Sequence, residues 1–145
     1  MENEWHKKTR KRIVKTLETQ GHRVITSHPK HINLFQGKIK RENCLSDADI
    51  VVFRDDIIDK IIEVESEPNP KKLIGIVIAT HLCKILRTEG KNYPLENVRL
   101  EIRYREPVPK SKKELKLDII EESLRKILNS LDGSVSNFEF VREAR

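Results

Sequence analysis

The stretch Asp47–Glu65, DADIVVFRDDIIDKIIEVE, decides the fold. Two β-branched runs, Ala48–Phe53 and Ile57–Glu65, stand on either side of Arg54-Asp55-Asp56. Valine and isoleucine favour strands, and a short charged break between two such runs predicts a turn, so the stretch reads as a β-hairpin. Side chains alternate along a strand, which puts Glu63 and Glu65 on one face and Ile62 and Val64 on the other. Asp49 lies as far from the turn as the Glu63–Glu65 end, and antiparallel pairing brings the three carboxylates together. Like charges beside an apolar strand repel strongly unless something compensates them. A divalent cation with oxygen ligands is the simplest compensation; a solvated hairpin face is the plainer alternative. Asp47, Asp55, Asp56, Asp59 and Glu67 read as solvated.

Working outward, residues 3–20 predict a helix in which Trp5, Ile13, Val14 and Leu17 recur at helical spacing, closed by Gly21. HRVITS, His22–Ser27, reads as a short strand. From His28 to Ser46 no period survives, and Pro29, Gly37 and the cluster Lys38–Arg41 predict a long loop. Pro68-Asn69-Pro70 breaks the chain before an apolar helix from Lys71 to Leu86, expected to be deeply buried. His81 within it reads as a hydrogen-bonded core or groove residue. Asn97–Tyr104 alternates cleanly, with Val98, Leu100, Ile102 and Tyr104 on one side and Arg99, Glu101 and Arg103 on the other. After Glu106–Lys110, Ser111 is placed to cap a last helix reaching about Leu131, and Val135–Val141 adds a short edge strand. The order αβββαβα describes one mixed α/β domain spanning residues 1–145.

Composition agrees with a single soluble domain. The 145 residues suffice for one core, with 37% hydrophobic and 36% charged residues. Two cysteines, Cys44 and Cys83, have no metal-ligand spacing, which argues against a disulfide scaffold or zinc module. No apolar run is long enough to span a bilayer, and no signal peptide opens the chain; a cytoplasmic protein without membrane contact is the expectation. The net charge of +6 is unevenly spread. Residues 1–45 hold 11 Lys+Arg against 4 Asp+Glu, residues 46–70 hold 2 against 8, and residues 71–110 hold 9 against 4. An acidic island between basic flanks suits a cation-binding cluster inside a phosphate-binding surface. The phosphate contacts expected are Lys7, Lys8, Arg10, Lys11 and Arg12 on the first helix, Lys38, Lys40 and Arg41 in the loop, and Arg99 and Arg103 on the last strand. Lys71 and Lys72, just beyond the hairpin, are near enough in sequence to reach the site. Lys60 has the wrong strand parity. His6, His22, His28 and His31 share no metal-binding spacing and are given no role.

The stretches DADIVVF and IIEVE, in this order of elements, resemble the PD-(D/E)XK nuclease superfamily, the restriction-endonuclease-like fold. The resemblance covers residues 3–104, about two thirds of the chain. Asp49 takes the position of the signature aspartate and Glu63 that of the glutamate. Glu65 stands where lysine is usual, a Glu-x-Glu variant, and Ala48 replaces the preceding proline. A metal-assisting glutamate on the first helix would fall on Glu4 or Glu2. The resemblance implies a metal-dependent endonuclease acting on DNA, with Mg²⁺ or Mn²⁺ as its cofactor. Asp49, Glu63 and the Val64 carbonyl would be ligands, and Glu65 would hold a second metal or accept the proton of water. It also implies a homodimer, because small members pair to cut two strands. The rival reading is a catalytically inactive nucleic-acid-binding protein that retains the fold; a third is a subunit whose charges serve protein contacts.

Overall fold

A computed structural model describes residues 2–28, 30–108 and 116–145. Helix α1 (Glu4–Thr19) is followed by β1 (Arg23–Thr26), β2 (Ile32–Phe35), a 3-10 turn (Arg41–Asn43), β3 (Cys44–Asp47), β4 (Ile50–Arg54) and β5 (Ile57–Glu65). Then come α2 (Pro70–Leu82), β6 (Ile85–Thr88), β7 (Lys91–Pro94), β8 (Val98–Arg105), α3 (Leu117–Ser130) and β9 (Val135–Glu143). The protein is α/β, with a mixed five-stranded sheet in the order β1-β4-β5-β8-β9. Strands β1, β4 and β5 pair antiparallel, whereas β8 runs parallel to β5, and β9 parallel to β8. A second, antiparallel sheet has the order β3-β2-β6-β7. Among the described residues no helix is long and apolar enough to cross a membrane.

The central hairpin is buried on both faces, which is why β4 reads as an unbroken apolar run rather than an alternating one. Ile50, Val52, Ile62 and Val64 pack with Ile13 under α1. Val51, Phe53 and Ile61 face the larger core, with Leu73 and Val77 of α2, Ile120 and Leu124 of α3, and Ile32 and Leu34 of the second sheet. Asp55 makes the hairpin turn at φ 58°, a left-handed conformation that aspartate tolerates better than most residues. Helix α1 starts where the Asn3 side chain accepts from the His6 N–H at 2.8 Å. It stops at Gly21, where the His22 N–H reaches the Leu17 carbonyl and the Gly21 N–H that of Glu18.

Three expectations need correction. The stretch His28–Ser46 is not one long loop: it contains β2, β3 and the 3-10 turn, and each short strand finds partners only in the second sheet. The helix beginning near Lys71 ends at Leu82 rather than Leu86, because Lys84 donates to Phe35 and Ile85–Thr88 pairs with β2. Nor is α2 deeply buried all round, since Ile74, Ile76 and Ile78 are half-buried and Gly75 is exposed. The proposed cap Ser111 lies outside the described residues. The last strand, by contrast, is longer than the sequence suggests and sits at the sheet edge beside β8.

His81 closes the molecule from within. Its Nδ1 accepts from the Val135 N–H at 3.2 Å, so its Nε2 carries the proton that it donates to the Leu131 carbonyl at 2.6 Å. It is the hydrogen-bonded core histidine that its apolar helix suggested.

Candidate functional site

The ends of β1, β4 and β5 meet at Asp49. Its backbone carbonyl accepts from the Ser27 N–H at 2.8 Å, and its Oδ2 accepts from the Val64 N–H at 2.8 Å. Ile50 pairs with Ile62, so Asp49 continues the register to face Glu63. Glu63 is 8% exposed, and its Oε1 has no hydrogen-bond partner. Burial foremost, then the neighbouring charges of Asp49, Asp47 and Glu65, push its carboxyl well above the usual range. Glu65, one pleat further on, is half-buried; its Oε1 accepts from the Glu67 N–H at 3.1 Å and lies 3.5 Å from the Lys72 ammonium. The structure therefore brings Asp49 and Glu63 together, with Glu65 at the rim tied to the first turn of α2.

The start of α1 brings a second layer of charge to the same place. His6 Nε2 lies 3.3 Å from Asp49 Oδ1, while its Nδ1 lies 2.8 Å from Glu2 Oε2. Burial alone would lower the His6 pKa, but the Asp49 and Glu2 carboxylates outweigh it and raise the value. Arg10, buried beneath, grips both Glu2 oxygens at 2.7 and 3.0 Å and donates to Thr26 Oγ1 at 2.8 Å. That bidentate clamp, more than any other contact, holds the Glu2 carboxyl down to about 2. Of the two glutamates considered for the first helix, Glu2 reaches the cluster and Glu4 is exposed. His6 and His28, given no role from sequence, both approach Glu2. The i, i+4 spacing of Glu2, His6 and Arg10 is the signal that marks them as one group.

The cations expected to meet phosphate divide into two sets. Lys7, Lys8, Lys11, Lys38, Lys40, Arg41 and Lys71 are exposed and make no ion pair among the described residues. The others have carboxylate partners within the protein. Arg10 belongs to Glu2, and Arg12 lies 2.5 Å from Glu143. Arg99 lies 2.6 Å from Asp59, and Lys72 reaches Glu65. Arg103 bridges Glu101 at 2.9 Å and Glu143 at 2.6 Å, while Lys60 reaches Glu101 from the next strand. Glu101 and Arg103 of β8 thus form a half-buried ion-pair network with Lys60 and Glu143, while Arg99 stays exposed beside Asp59.

The chain matches no family model, no curated protein and no solved structure. The site must therefore be judged on its own chemistry. A buried carboxylate oxygen without a partner, facing a second carboxylate, is a donor set that suits a small divalent cation. Among the described residues no three acidic, histidine or cysteine side chains are grouped to hold a metal. A cation here would rest on Asp49 and Glu63, with a backbone oxygen and water completing its shell, an arrangement magnesium accepts.

Proposed function

We propose that this protein is a metal-dependent endonuclease hydrolysing phosphodiester bonds in DNA, with Asp49 and Glu63 at its centre. The observation that carries this reading is the buried Glu63 carboxylate with an unpartnered oxygen, set against Asp49. Such a pair is costly to the folded state and is best explained by a bound divalent cation. The antiparallel β1, β4 and β5 followed by parallel β8, with α1 on one face and α2 on the other, support the resemblance to the restriction-endonuclease-like fold. When bound, Mg²⁺ or Mn²⁺ would supply Lewis acidity and an activated water. The chain's own groups do the rest. His6 and the Val64 N–H orient Asp49, and Glu65 stands ready to accept a proton. Lys72, 3.5 Å from Glu65, brings an ammonium close to where the usual lysine would stand. The exposed lysines of α1 and of the β2–β3 connection hold the phosphate backbone, so binding should weaken steeply with salt.

The second reading, a silent nucleic-acid-binding protein, is favoured by one observation: Glu65 is already engaged by Lys72 and by the Glu67 N–H. One assay separates the two. Mg²⁺-dependent nicking of plasmid or branched DNA that disappears in Asp49→Ala supports the enzyme. Salt-sensitive DNA binding without nicking supports the silent protein, and a second copy of the chain in the bound complex would support the homodimer.

A further inference from the structure

We propose that Arg105, stacked on Trp5 at the end of β8, holds a backbone phosphate of a bound nucleic acid at a place separate from the carboxylate pair. Its guanidinium carbon stands 5.5 Å from the centre of the Trp5 ring. The ring is itself fixed, because Trp5 Nε1 donates to the Ala144 carbonyl at 2.7 Å. Among the described residues the half-buried Arg105 side chain makes no ion pair and no hydrogen bond. Its Nε is enclosed, so contact with a ligand falls to the two terminal nitrogens. A planar guanidinium held over an aromatic ring is pre-organised to grip the oxygens of a phosphate.

Arg105 is left free because the nearby carboxylates are already spent. Strand pairing sets it beside Glu143, but both Glu143 oxygens are taken, Oε1 by Arg103 at 2.6 Å and Oε2 by Arg12 at 2.5 Å. Glu106, the next acid along β8, is held by Arg142 at 2.6 Å. A half-buried guanidinium without an acid is costly until an anion reaches it. Lys8, exposed and unpaired among the described residues, stands one helical turn from both Trp5 and Arg12 and adds a second charge to the same face of α1. Trp5 precedes His6, which lies 3.3 Å from Asp49, so Arg105 and the carboxylate pair flank the first turn of α1. A polynucleotide, charged at every phosphate, is the ligand that spans both, and this inference rests on the reading of the protein as nucleic-acid-binding, whether or not it cuts.

Trp5 is the only tryptophan in the chain, so its fluorescence reports on Arg105 directly. The test titrates the full chain with a short DNA duplex in EDTA, where no metal-dependent cleavage runs, and repeats the binding over a salt series. A saturable change in Trp5 emission is expected, and inorganic phosphate at the same concentration of phosphate groups should leave the emission unmoved. Arg105→Gln should remove most of that change, weaken binding roughly tenfold and lower the salt slope of log affinity by about 0.9, the share of one phosphate. Arg142→Gln takes away an arginine that Glu106 already holds, and should leave the slope at the parent value. The emission change is read on the parent, so the test stands if Arg105→Gln fails to fold. A parent that binds no DNA, or whose Trp5 ignores bound DNA, would overturn the proposal. So would the parent slope in Arg105→Gln, an equal loss of slope in Arg142→Gln, or inorganic phosphate reproducing the emission change. DNA bound through Arg105 by a protein that cuts nothing once Mg²⁺ is restored would support the site and dismiss the nuclease reading; cleavage with the slope unmoved in Arg105→Gln would do the reverse.

Discussion

Glu63→Gln should stabilise this protein at high pH while abolishing its response to magnesium. The reasoning starts from a buried carboxyl whose Oε1 lacks a partner and whose neighbours include Asp49, Asp47 and Glu65. Its folded pKa lies above the ordinary 4.5, so the folded state holds the proton more tightly than the unfolded chain. That contribution is fully present below about pH 4.5 and is lost as pH rises through the folded pKa. Below it, the protonated Glu63 can donate to Asp49; above it, the hydrogen bond is gone and two carboxylates repel. Glutamine has nearly the same shape and keeps an N–H donor at every pH. The variant and parent should therefore have similar stability near pH 5, and the gap should open with pH to about 1.5–3 kcal/mol, the worth of one hydrogen bond to a charged acceptor. For a chain of this length that is roughly 3–12 °C in Tm. Thermal denaturation from about pH 5 to about pH 9, with and without Mg²⁺, reads both arms. Magnesium at tenfold above its Kd should stabilise the parent by about 1.4 kcal/mol and leave the variant unmoved. A gap that does not change with pH, or a variant less stable than the parent at pH 9, would refute the account of Glu63 as an uncompensated buried carboxylate.

Glu2→Gln should act in the opposite direction on the pH axis. The Arg10 clamp lowers the Glu2 carboxyl to about 2, so its contribution is present above pH 4.5 and is lost as pH falls toward 2. Denaturant unfolding at pH 7 should show a loss of at most about 3 kcal/mol, shrinking at pH 3. Gly133→Ala should lower Tm by several degrees, because a Cβ there would run into the His81 backbone carbonyl and stand 2.5 Å from Cδ2 and Nε2 of the same residue. Overpacking of this kind costs about 1–3 kcal/mol, and a Tm at or above the parent's would show that the loop carrying Gly133 yields freely. Glu65→Lys places a second ammonium beside Lys72, 3.5 Å from the present carboxylate oxygen, and should eliminate cleavage while costing less than about 1 kcal/mol of stability. Cleavage by that variant at the parent rate would show that Glu65 holds no cation.

The hairpin, its turn at Asp55 and the alternation of Val98–Tyr104 were legible because strand period and turn chemistry are local properties. The same local rule placed Glu63 opposite Ile62 and brought Asp49 to face it, so two of the three proposed carboxylates could be named before any coordinates. What local rules miss is who pairs with whom. Ile32–Phe35 and Cys44–Asp47 are four residues each, too short to show a period, and they exist as strands because the second sheet supplies their hydrogen bonds. The apolar run after Lys71 carries no mark of its end, since helix and buried strand look alike in leucine and isoleucine; the bond from Lys84 to Phe35 ends it. Charge gave the least away. Arg99 and Arg103 look like free cations in one dimension, yet Asp59, Glu101 and Glu143 arrive beside them from other strands. Likewise Glu2, His6 and Arg10 stand four residues apart in the sequence, and only the packing of α1 against the ends of β1 and β4 turns them toward Asp49. Burial and pairing are properties of the whole chain, and tertiary structure alone decided which charges stay free.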